Sequence, residues 1–294
     1  MPIRGWRAVQ CQMPGANSCT GRQPILRVVD VDQVKGRMRA VWGLGDYSQV
    51  ASMLEPAADA LCEACAVSAG QEVLDVAAGS GNFALAAARE GAAVVASDLS
   101  PGMVELGRSR SQAEGYEIEW LEADAEELPF EHGRFDCVAS VFGAMLAPRP
   151  QRAAGELFRV ARAGGTVGMT AWTPASFASE LFSVTRRYVP APADLPLSQE
   201  WGEEATVRER FDGLAASIEF RRMSLPWAAG SPEELLRRMD DAGPQVAARE
   251  NLSPEQYERL RTEALELTER RNAADDGSMR VESEYLQTVA RKRG

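Results

Sequence analysis

The segment VLDVAAGSGNFAL, residues 73–85, constrains the fold of this chain more than any other. A short apolar run leads into a turn that contains Gly79 and Gly81, and a helical pattern begins at Asn82. Strand, glycine turn and helix in this order open a βαβ unit, which builds a parallel sheet covered by helices on both faces. The segment therefore predicts a doubly wound α/β fold with a ligand site at the carboxyl end of this strand.

Two classes of nucleoside cofactor fit the glycine turn. The residues from Gly79 to Ala84 match the G-x-G-x-x-G/A fingerprint of dinucleotide binding. Asp75 fits this interpretation poorly, because a carboxylate beside a pyrophosphate is repulsive. It suits a cofactor with an ammonium group and no phosphate, such as S-adenosylmethionine. A nicotinamide cofactor, and with it an oxidoreductase, stays open as the less favoured alternative.

Strand and helix patterns alternate along most of the chain. Strands are predicted at 72–76, 93–97, 117–121, 135–141, 166–171, 217–227 and 281–291. Helices are predicted at 31–42, 47–67, 82–90, 101–113, 149–162, 176–188, 232–239 and 254–272. Ser100 and Pro101 are expected to start the fourth of these helices, and Gly164 with Gly165 to end the fifth. This alternation favours a mostly parallel sheet.

The patterns also divide the chain into regions. Residues 1–30 lack periodicity and are predicted to form a flexible extension. Residues 31–294 are predicted to form one domain. Within it, residues at about 70–172 would form the cofactor-binding core, and residues at about 173–280 a helical insertion that covers the substrate.

Composition excludes several classes of protein. The net charge is −11 and the pI about 4.9, so a phosphate backbone would be repelled and nucleic-acid binding is not expected. No apolar run approaches the ~20 residues of a membrane-spanning helix, and no signal peptide is evident. The five cysteines favour free thiols in the cytoplasm. Cys62 and Cys65 have no second ligand pair, so no metal site is predicted.

The next two predicted strands end in acidic residues. Asp98 follows the second strand, about 20 residues after the glycine turn, where a carboxylate accepts both hydroxyls of a ribose. Both cofactor classes contain this ribose. Asp124 and Ala125 follow the third strand, where a carboxylate and a backbone amide can bind the amino group and ring nitrogen of adenine. Each aspartate could instead cap a loop or a helical turn.

Together these motifs resemble the core of class I S-adenosylmethionine-dependent methyltransferases. The matching pieces, in order, are VLDVAAGSGN, ASDLSPGM, ADAEELPF, RFDCVASVFG and FRVARAGGTVGMTAW. The resemblance is greatest to the ubiquinone/menaquinone-biosynthesis-like group of small-molecule methyltransferases. It implies a Rossmann-like sheet of seven strands in which the last strand is antiparallel, flanked by helices. It also implies S-adenosyl-L-methionine as cofactor and S-adenosyl-L-homocysteine as product.

The resemblance also implies a set of cofactor-binding residues. Asp75 and the turn at 77–81 would hold the methionine end, Asp98 the ribose, and the pair after the third strand the adenine. The full predicted set is Tyr47, Asp75, Ala77, Gly79, Gly81, Asn82, Asp98, Leu99, Met103, Asp124, Ala125 and Ser140. Ala77 departs from the family pattern, in which many members have glycine. Its methyl group is expected to fit if the backbone stays in the β region.

The methyl acceptor is expected to be an apolar or aromatic small molecule. Phe142, Met145 and Trp172 are the candidate substrate residues. Quinone-biosynthesis enzymes carry a polar Arg-Asn pair where this chain has Met145 and Leu146, which argues against a quinone precursor. The single histidine, His132, lies in a predicted surface turn, so no catalytic base is identified. The acceptor atom (oxygen, carbon or nitrogen) stays open, a homo-oligomer is possible, and a non-catalytic cofactor-binding module that acts through a partner protein is the alternative.

Overall fold

The computed structural model describes residues 30–192 and 194–294. Most of the predicted extension, including Cys11 and Cys19, therefore lies outside the described residues. Asp30 is described, and it begins the first helix: its carboxylate accepts a hydrogen bond from the Gln33 amide at 3.0 Å. Asp30 thus acts as an N-cap, which satisfies one of the free amides of the first turn.

The described residues contain ten α-helices and seven strands. The helices are α1 (Val31–Trp42), α2 (Ser48–Ala64), α3 (Asn82–Arg89), α4 (Pro101–Ala113), α5 (Pro150–Val160), α6 (Phe177–Tyr188), α7 (Glu204–Arg210), α8 (Pro232–Met239), α9 (Gly243–Asn251) and α10 (Pro254–Arg271). The strands are β1 (Glu72–Val76), β2 (Ala93–Asp98), β3 (Glu119–Glu122), β4 (Phe135–Val141), β5 (Ala161–Trp172), β6 (Ala215–Ala229) and β7 (Met279–Lys292).

All seven strands form one sheet in the order β3-β2-β1-β4-β5-β7-β6. The neighbours from β3 to β5 are parallel, whereas β7 runs antiparallel to both β5 and β6. The predicted Rossmann-like sheet with an antiparallel last strand is therefore confirmed. The strand order reverses between β1 and β4, and ligands of such sheets bind outside the carboxyl ends of the strands at this point.

The central strands are buried because helices cover both faces of the sheet. In β1, Val73, Leu74 and Val76 have no exposed surface, and most of β4 is buried as well. Continuous apolar runs of this kind are typical of parallel strands packed on both sides. Asp75 lies within this apolar strand and is also buried. A carboxylate at that depth requires a partner.

The predicted end of the fifth helix is wrong. The helix expected at 149–162 ends at Val160, and Gly164 and Gly165 lie within β5 instead of ending the helix. The pairing of β4 with β5 shifts register between Phe135 and Cys137, as in a β-bulge. Gly164 has φ +72°, a value that suits glycine, and helps to form this irregular part of the strand.

The region at 173–280 contains more than an insertion, because β6 belongs to the sheet. Three helices, α8, α9 and α10, connect β6 to β7. They pack against α1, α2 and α6 on the side of the molecule where β1 and β4 end. A backbone bridge between Gly45 and Ala242 joins the segment after α1 to the α8–α9 connection. These helices are the part of the region that could cover a substrate.

Two helical glycines give a test of packing between α4 and β3. A Cβ added to Gly107 would lie 2.0 Å from the Trp120 ring, whereas one added to Gly155 in α5 meets nothing within 4 Å. We expect Gly107→Ala to lower the free energy of unfolding by about 1–3 kcal/mol through overpacking. Gly155→Ala should raise it by up to about 1 kcal/mol through helix propensity. Urea unfolding measures both, and equal effects of the two variants would contradict the packing.

Candidate functional site

A cavity lies at the carboxyl ends of β1 to β4, where the strand order reverses. It is called the first cavity here. Most of the predicted cofactor residues line it, together with one predicted substrate residue. Those lining residues are Tyr47, Asp75, Ala77, Gly79, Asn82, Asp98, Leu99, Met103, Asp124, Ala125 and Phe142. The fold thus brings together side chains from α1 through the loop after β4.

The turn between β1 and α3 depends on left-handed backbone. Gly79 has φ +56° and Gly81 has φ +85°. Ala77 has φ +52°, so the expectation that it stays in the β region is wrong. A left-handed conformation costs a residue with a Cβ atom about 1–2 kcal/mol. Gly143 packs on this turn, because a Cβ there would lie 2.2 Å from the Ala77 carbonyl oxygen.

Gly81 supports the turn from behind. It is buried and does not line the first cavity. A Cβ at this position would lie 2.7 Å from the Trp120 ring, so the close approach of β3 as well as the positive φ requires glycine. Its place is structural, at the start of α3.

Asp75 has one carboxylate oxygen bound and one free. Oδ2 accepts a hydrogen bond from the Ala84 amide in the first turn of α3 at 2.9 Å. Oδ1 is buried and has no hydrogen-bond partner among the described residues. Burial raises the pKa of Asp75 to about 8, and the charge of Asp98 adds to this effect. A buried oxygen of this kind, in a cavity wall, fits a ligand that brings a positively charged donor.

Asp98 ends β2 and orders two loops. Oδ2 accepts from the Gly79 amide at 2.9 Å, and Oδ1 accepts from the Ser100 amide at 2.8 Å. Burial raises its pKa, and these amides oppose that effect. Each carboxylate oxygen can accept a second hydrogen bond. Asp98 can therefore cap the loops and still bind a pair of hydroxyls.

Asp124 is bound on both oxygens. Oδ1 accepts from the Glu126 amide at 2.9 Å, and Oδ2 accepts from Lys35 Nζ at 2.5 Å. Glu126 also binds Lys35 Nζ, at 2.5 Å, and its side chain is completely buried. The carboxylate thus lies in the cavity wall in a fixed orientation, with one acceptor site left on each oxygen.

Two further predicted residues have structural contacts. The Asn82 amide group donates to the Ala51 carbonyl and accepts from Arg110, so it ties α3 to α2 and α4, although it borders the first cavity. The Ser140 hydroxyl donates to the Val76 carbonyl at 2.6 Å and accepts from the Ala144 amide at 2.8 Å. Ser140 lines neither cavity of this site.

A second cavity adjoins the first. The two share Trp42, Tyr47, Leu54, Phe142 and Leu146 in their walls. Helices α2, α6, α8 and α10 supply most of the other lining residues, which are largely apolar or aromatic. A ligand in the first cavity and another in the second would therefore meet at these shared side chains.

An aromatic cluster forms one wall of the second cavity. The rings of Phe142 and Trp172 stack with centroids 4.0 Å apart and planes 10° from parallel. Trp227 meets Trp172 edge to face at 5.7 Å. Phe142 has φ +55°, a strained value for a residue with a side chain. Met145, the remaining predicted substrate residue, is buried in the core and lines neither cavity.

Few titratable groups face the second cavity. Tyr47 lies between the two cavities, and burial together with the charge of Asp98 raises its pKa, so the phenol keeps its proton. Asp240 and Arg261 form an ion pair in the wall and are its only charged residues within the described chain. His132 is exposed and away from both cavities. Across residues 30–192 and 194–294, no cluster of three metal-ligating side chains occurs, and no helix could span a bilayer.

Sequence reasoning missed the contribution of α1. Lys35, Met38 and Trp42 line the first cavity at helical spacing. One feature of the sequence could have drawn attention to Lys35: it and Lys292 are the only lysines of the chain. Ser100 was predicted as a helix cap and does occupy that position. Its hydroxyl makes no capping bond, however, and is a buried group in the cavity wall without a hydrogen-bond partner among residues 30–192 and 194–294.

Comparison with known proteins agrees with this geometry. A family model described as a methyltransferase domain matches residues 73–165. The uncharacterized protein Rv1403c of Mycobacterium tuberculosis is 42% identical over 260 residues, which cover 86% of this chain and 93% of that protein. A demethylmenaquinone methyltransferase of Clavibacter sepedonicus is 42% identical over 108 residues, 37% of this chain and 44% of that enzyme.

A solved structure shows the same fold. Phosphoethanolamine N-methyltransferase 2 of Haemonchus contortus, in complex with S-adenosyl-L-methionine, superposes with a TM-score of 0.51 at 21% identity. The match covers 81% of this chain and 53% of that one. Fold, family model and relatives agree, and S-adenosylmethionine is the cofactor that they indicate. The chain belongs to the class I S-adenosylmethionine-dependent methyltransferases.

Proposed function

We propose that this enzyme transfers a methyl group to an apolar or aromatic small molecule that binds in the second cavity. The observation that carries the proposal is the apolar, aromatic-walled second cavity, which adjoins the first cavity and shares lining residues with it. Stacked and edge-to-face rings favour a planar, apolar ligand over a strongly hydrated one. The negative net charge of the chain argues against a nucleic-acid acceptor.

The proposed binding of the cofactor follows the polar groups of the first cavity. The free Oδ1 of Asp75 would accept the α-ammonium group, and Asp98 the two ribose hydroxyls. Asp124 and the amide of Ala125 would bind the adenine edge. Leu99 and Met103, both in the cavity wall, would pack on the adenosine. These donors and acceptors fit S-adenosylmethionine, whereas the Asp75 carboxylate would repel a pyrophosphate at the glycine turn.

Positioning accounts for the chemistry that the residues can supply. The bound cofactor supplies the methyl group on a sulfonium, and transfer is an in-line displacement. Tyr47 and Phe142 lie where the two cavities meet, so they would align the acceptor and exclude water. Such alignment is worth up to roughly 7–11 kcal/mol of the barrier. Because Tyr47 keeps its proton, it would donate a hydrogen bond and would not act as a base.

A quinone precursor is not the favoured acceptor. Quinone-biosynthesis enzymes carry a polar pair at the positions of Met145 and Leu146, and here Leu146 adds an apolar surface to both cavities. The similarity to the demethylmenaquinone enzyme covers 37% of this chain. The free, buried thiols of Cys62, Cys65 and Cys137 support a reducing compartment such as the cytoplasm. Whether copies of the chain associate stays a prediction.

A substitution in the second cavity tests the acceptor class. Ala264 lies in α10 and lines the second cavity but not the first. Ala264→Trp should lower methyl transfer to aromatic acceptors at least tenfold, because the indole fills the space, while affinity for S-adenosylhomocysteine changes less than twofold. Activity is measured as methyl transfer to a mixture of phenols, quinones and polyketide-like compounds, and affinity is measured by calorimetry with S-adenosylhomocysteine. Ala264→Ser is the control, and equal activity of both variants would contradict the proposal.

Cofactor binding should depend on the ionisation of Asp75. Its pKa of about 8 in the free protein means that the carboxyl is protonated at pH 6, while an ammonium group pairs only with the carboxylate. Binding at low pH must therefore release a proton. We expect affinity for S-adenosylhomocysteine to fall on the order of tenfold or more between pH 8 and pH 6. Calorimetry at several pH values measures this pH dependence, and Asp75→Asn should abolish it. A wild-type affinity that does not change between pH 8 and pH 6 would contradict the role of Asp75.

The ribose contact predicts a second effect on affinity. Asp98→Ala should weaken S-adenosylhomocysteine binding by about tenfold to a hundredfold, since charge-assisted hydrogen bonds are worth about 1.5–3 kcal/mol. The loss should be smaller for the 2′-deoxyribose analogue, which separates the ribose contact from support of the loops. Asp136→Ala is a matched control, because that carboxylate also accepts a hydrogen bond from a backbone amide, that of Glu72. Asp136 lies at the amino end of β4, however, away from the first cavity. Unchanged affinity in Asp98→Ala would remove this residue from the site.

A further inference from the structure

Helix α1 is attached to the molecule in an unusual way. Of its twelve residues, the only buried one is Lys35, at 9% exposure. Surface helices usually bury an apolar face, and lysine is almost never buried without a partner. The apolar residues of α1, among them Val34, Met38 and Trp42, are only half-buried. The most deeply buried side chain of this helix is therefore a charged one.

Lys35 belongs to a cluster of four charged residues, the Lys35 cluster, made of Lys35, Asp124, Glu126 and Arg149. Lys35 Nζ lies 2.5 Å from both Asp124 Oδ2 and Glu126 Oε2. Arg149 Nε binds the same buried Glu126 at 2.5 Å. Two cations and two carboxylates balance, so burial leaves no net charge. A change that removes Lys35 would leave two carboxylates together at this edge of the cavity.

Helix α1 forms a wall of the first cavity on the side of Asp124. Lys35, Met38 and Trp42 follow one another at i, i+3 and i+7, so they lie on one face of the helix, toward the cavity. The other end of α1 is joined to the α8–α9 connection by backbone contacts: the Gly45–Ala242 bridge and a 2.8 Å bond from the Asp46 amide to the Asp241 carbonyl. One end of the helix is thus fixed by backbone, and the other by Lys35.

We propose that Lys35 is a positioning residue that holds α1 over the adenine end of the bound cofactor and fixes Asp124 for the adenine amino group. The placement of adenine beside Asp124 rests on the proposed function. Lys35 and the Glu126 amide hold the Asp124 carboxylate in one orientation, and each carboxylate oxygen keeps one acceptor site. The exposed half of Met38 and Trp42 would be covered by the cofactor when α1 lies in place. Release of the cofactor then requires the Lys35 cluster to open.

The first measurement is the dissociation rate of S-adenosylhomocysteine, followed by stopped-flow tryptophan fluorescence. We expect Lys35→Met to raise this rate at least tenfold. Arg39→Gln is the matched control, because Arg39 makes an ion pair from the same helix to Glu122, but both side chains are exposed. The control should change the rate less than twofold. A Lys35→Met rate within twofold of the wild type, or an equal effect of the control, overturns the proposal.

A second measurement separates positioning from general support. S-inosylhomocysteine carries a carbonyl oxygen where adenine has its amino group, so an oriented Asp124 should disfavour it. We expect the wild type to prefer the adenosyl compound at least tenfold, and Lys35→Met to reduce this preference at least threefold. An equal loss of affinity for both compounds would mean that Lys35 only supports the fold, and would overturn the proposal.

A measurement on the wild type covers the case in which Lys35→Met does not fold. Helix α1 contains trypsin sites at Lys35, Arg37 and Arg39. Saturating S-adenosylhomocysteine should slow cleavage within α1 at least tenfold, and an unchanged cleavage rate overturns the proposal. If calorimetry detects no binding of S-adenosylhomocysteine to the wild type, the assignment of the cofactor fails together with this inference. If the wild type binds S-adenosylhomocysteine and Lys35→Met has no effect, only the inference about Lys35 fails.

Discussion

The buried carboxylate of Asp75 is the interaction on which the site depends. It lies near the end of an apolar central strand, and one of its oxygens accepts a hydrogen bond from the Ala84 amide in the first turn of α3. This bond fixes where the helix begins relative to β1, and so fixes the course of the glycine turn between them. The second oxygen has no donor in the part of the chain that the structure describes. Burial of an unpaired charge is costly, so the free protein keeps a proton there at neutral pH. A cationic ligand can replace that proton.

The remaining polar groups of the first cavity follow the same principle. Asp98 and Asp124 each accept protein donors that hold them in place, and each keeps acceptor sites for a ligand. The second cavity is different, since its wall is mostly apolar and its two charged residues are paired with each other. The carboxyl groups that keep free acceptor sites thus line the first cavity, where the cofactor is proposed to bind. The aromatic side chains, led by Phe142 and Trp172, lie on the side that faces the proposed acceptor.

Local sequence patterns were sufficient for most of the architecture. The bounds of α1, α4, α8, β1 and β4 agree with those predicted, because strong periodicity and clear start signals lie within each segment. The helix end predicted from Gly164 and Gly165 is wrong, since a glycine pair is typical of a helix end and also of a bulged strand. Only the pairing of β4 with β5 distinguishes the two. The left-handed backbone of Ala77 was missed for a similar reason. Ala77 packs against Gly143, 66 residues later in the chain, and a local pattern does not contain such a contact.

The sequence alone determined the fold class and predicted the cofactor end of the candidate site, because Asp75, the glycine turn and Asp98 lie within one strand–turn–helix–strand unit. Contacts between distant segments decided the rest. Lys35 meets Asp124 across 89 positions, and the second cavity is assembled from α2, α6, α8 and α10. Ser140 and Met145 are close in sequence to residues of the site. The Ser140 hydroxyl, however, donates to the Val76 carbonyl, and Met145 packs in the hydrophobic core. A periodic pattern shows which face of an element is buried, but not which other element covers it, and the acceptor cavity depends on that second fact.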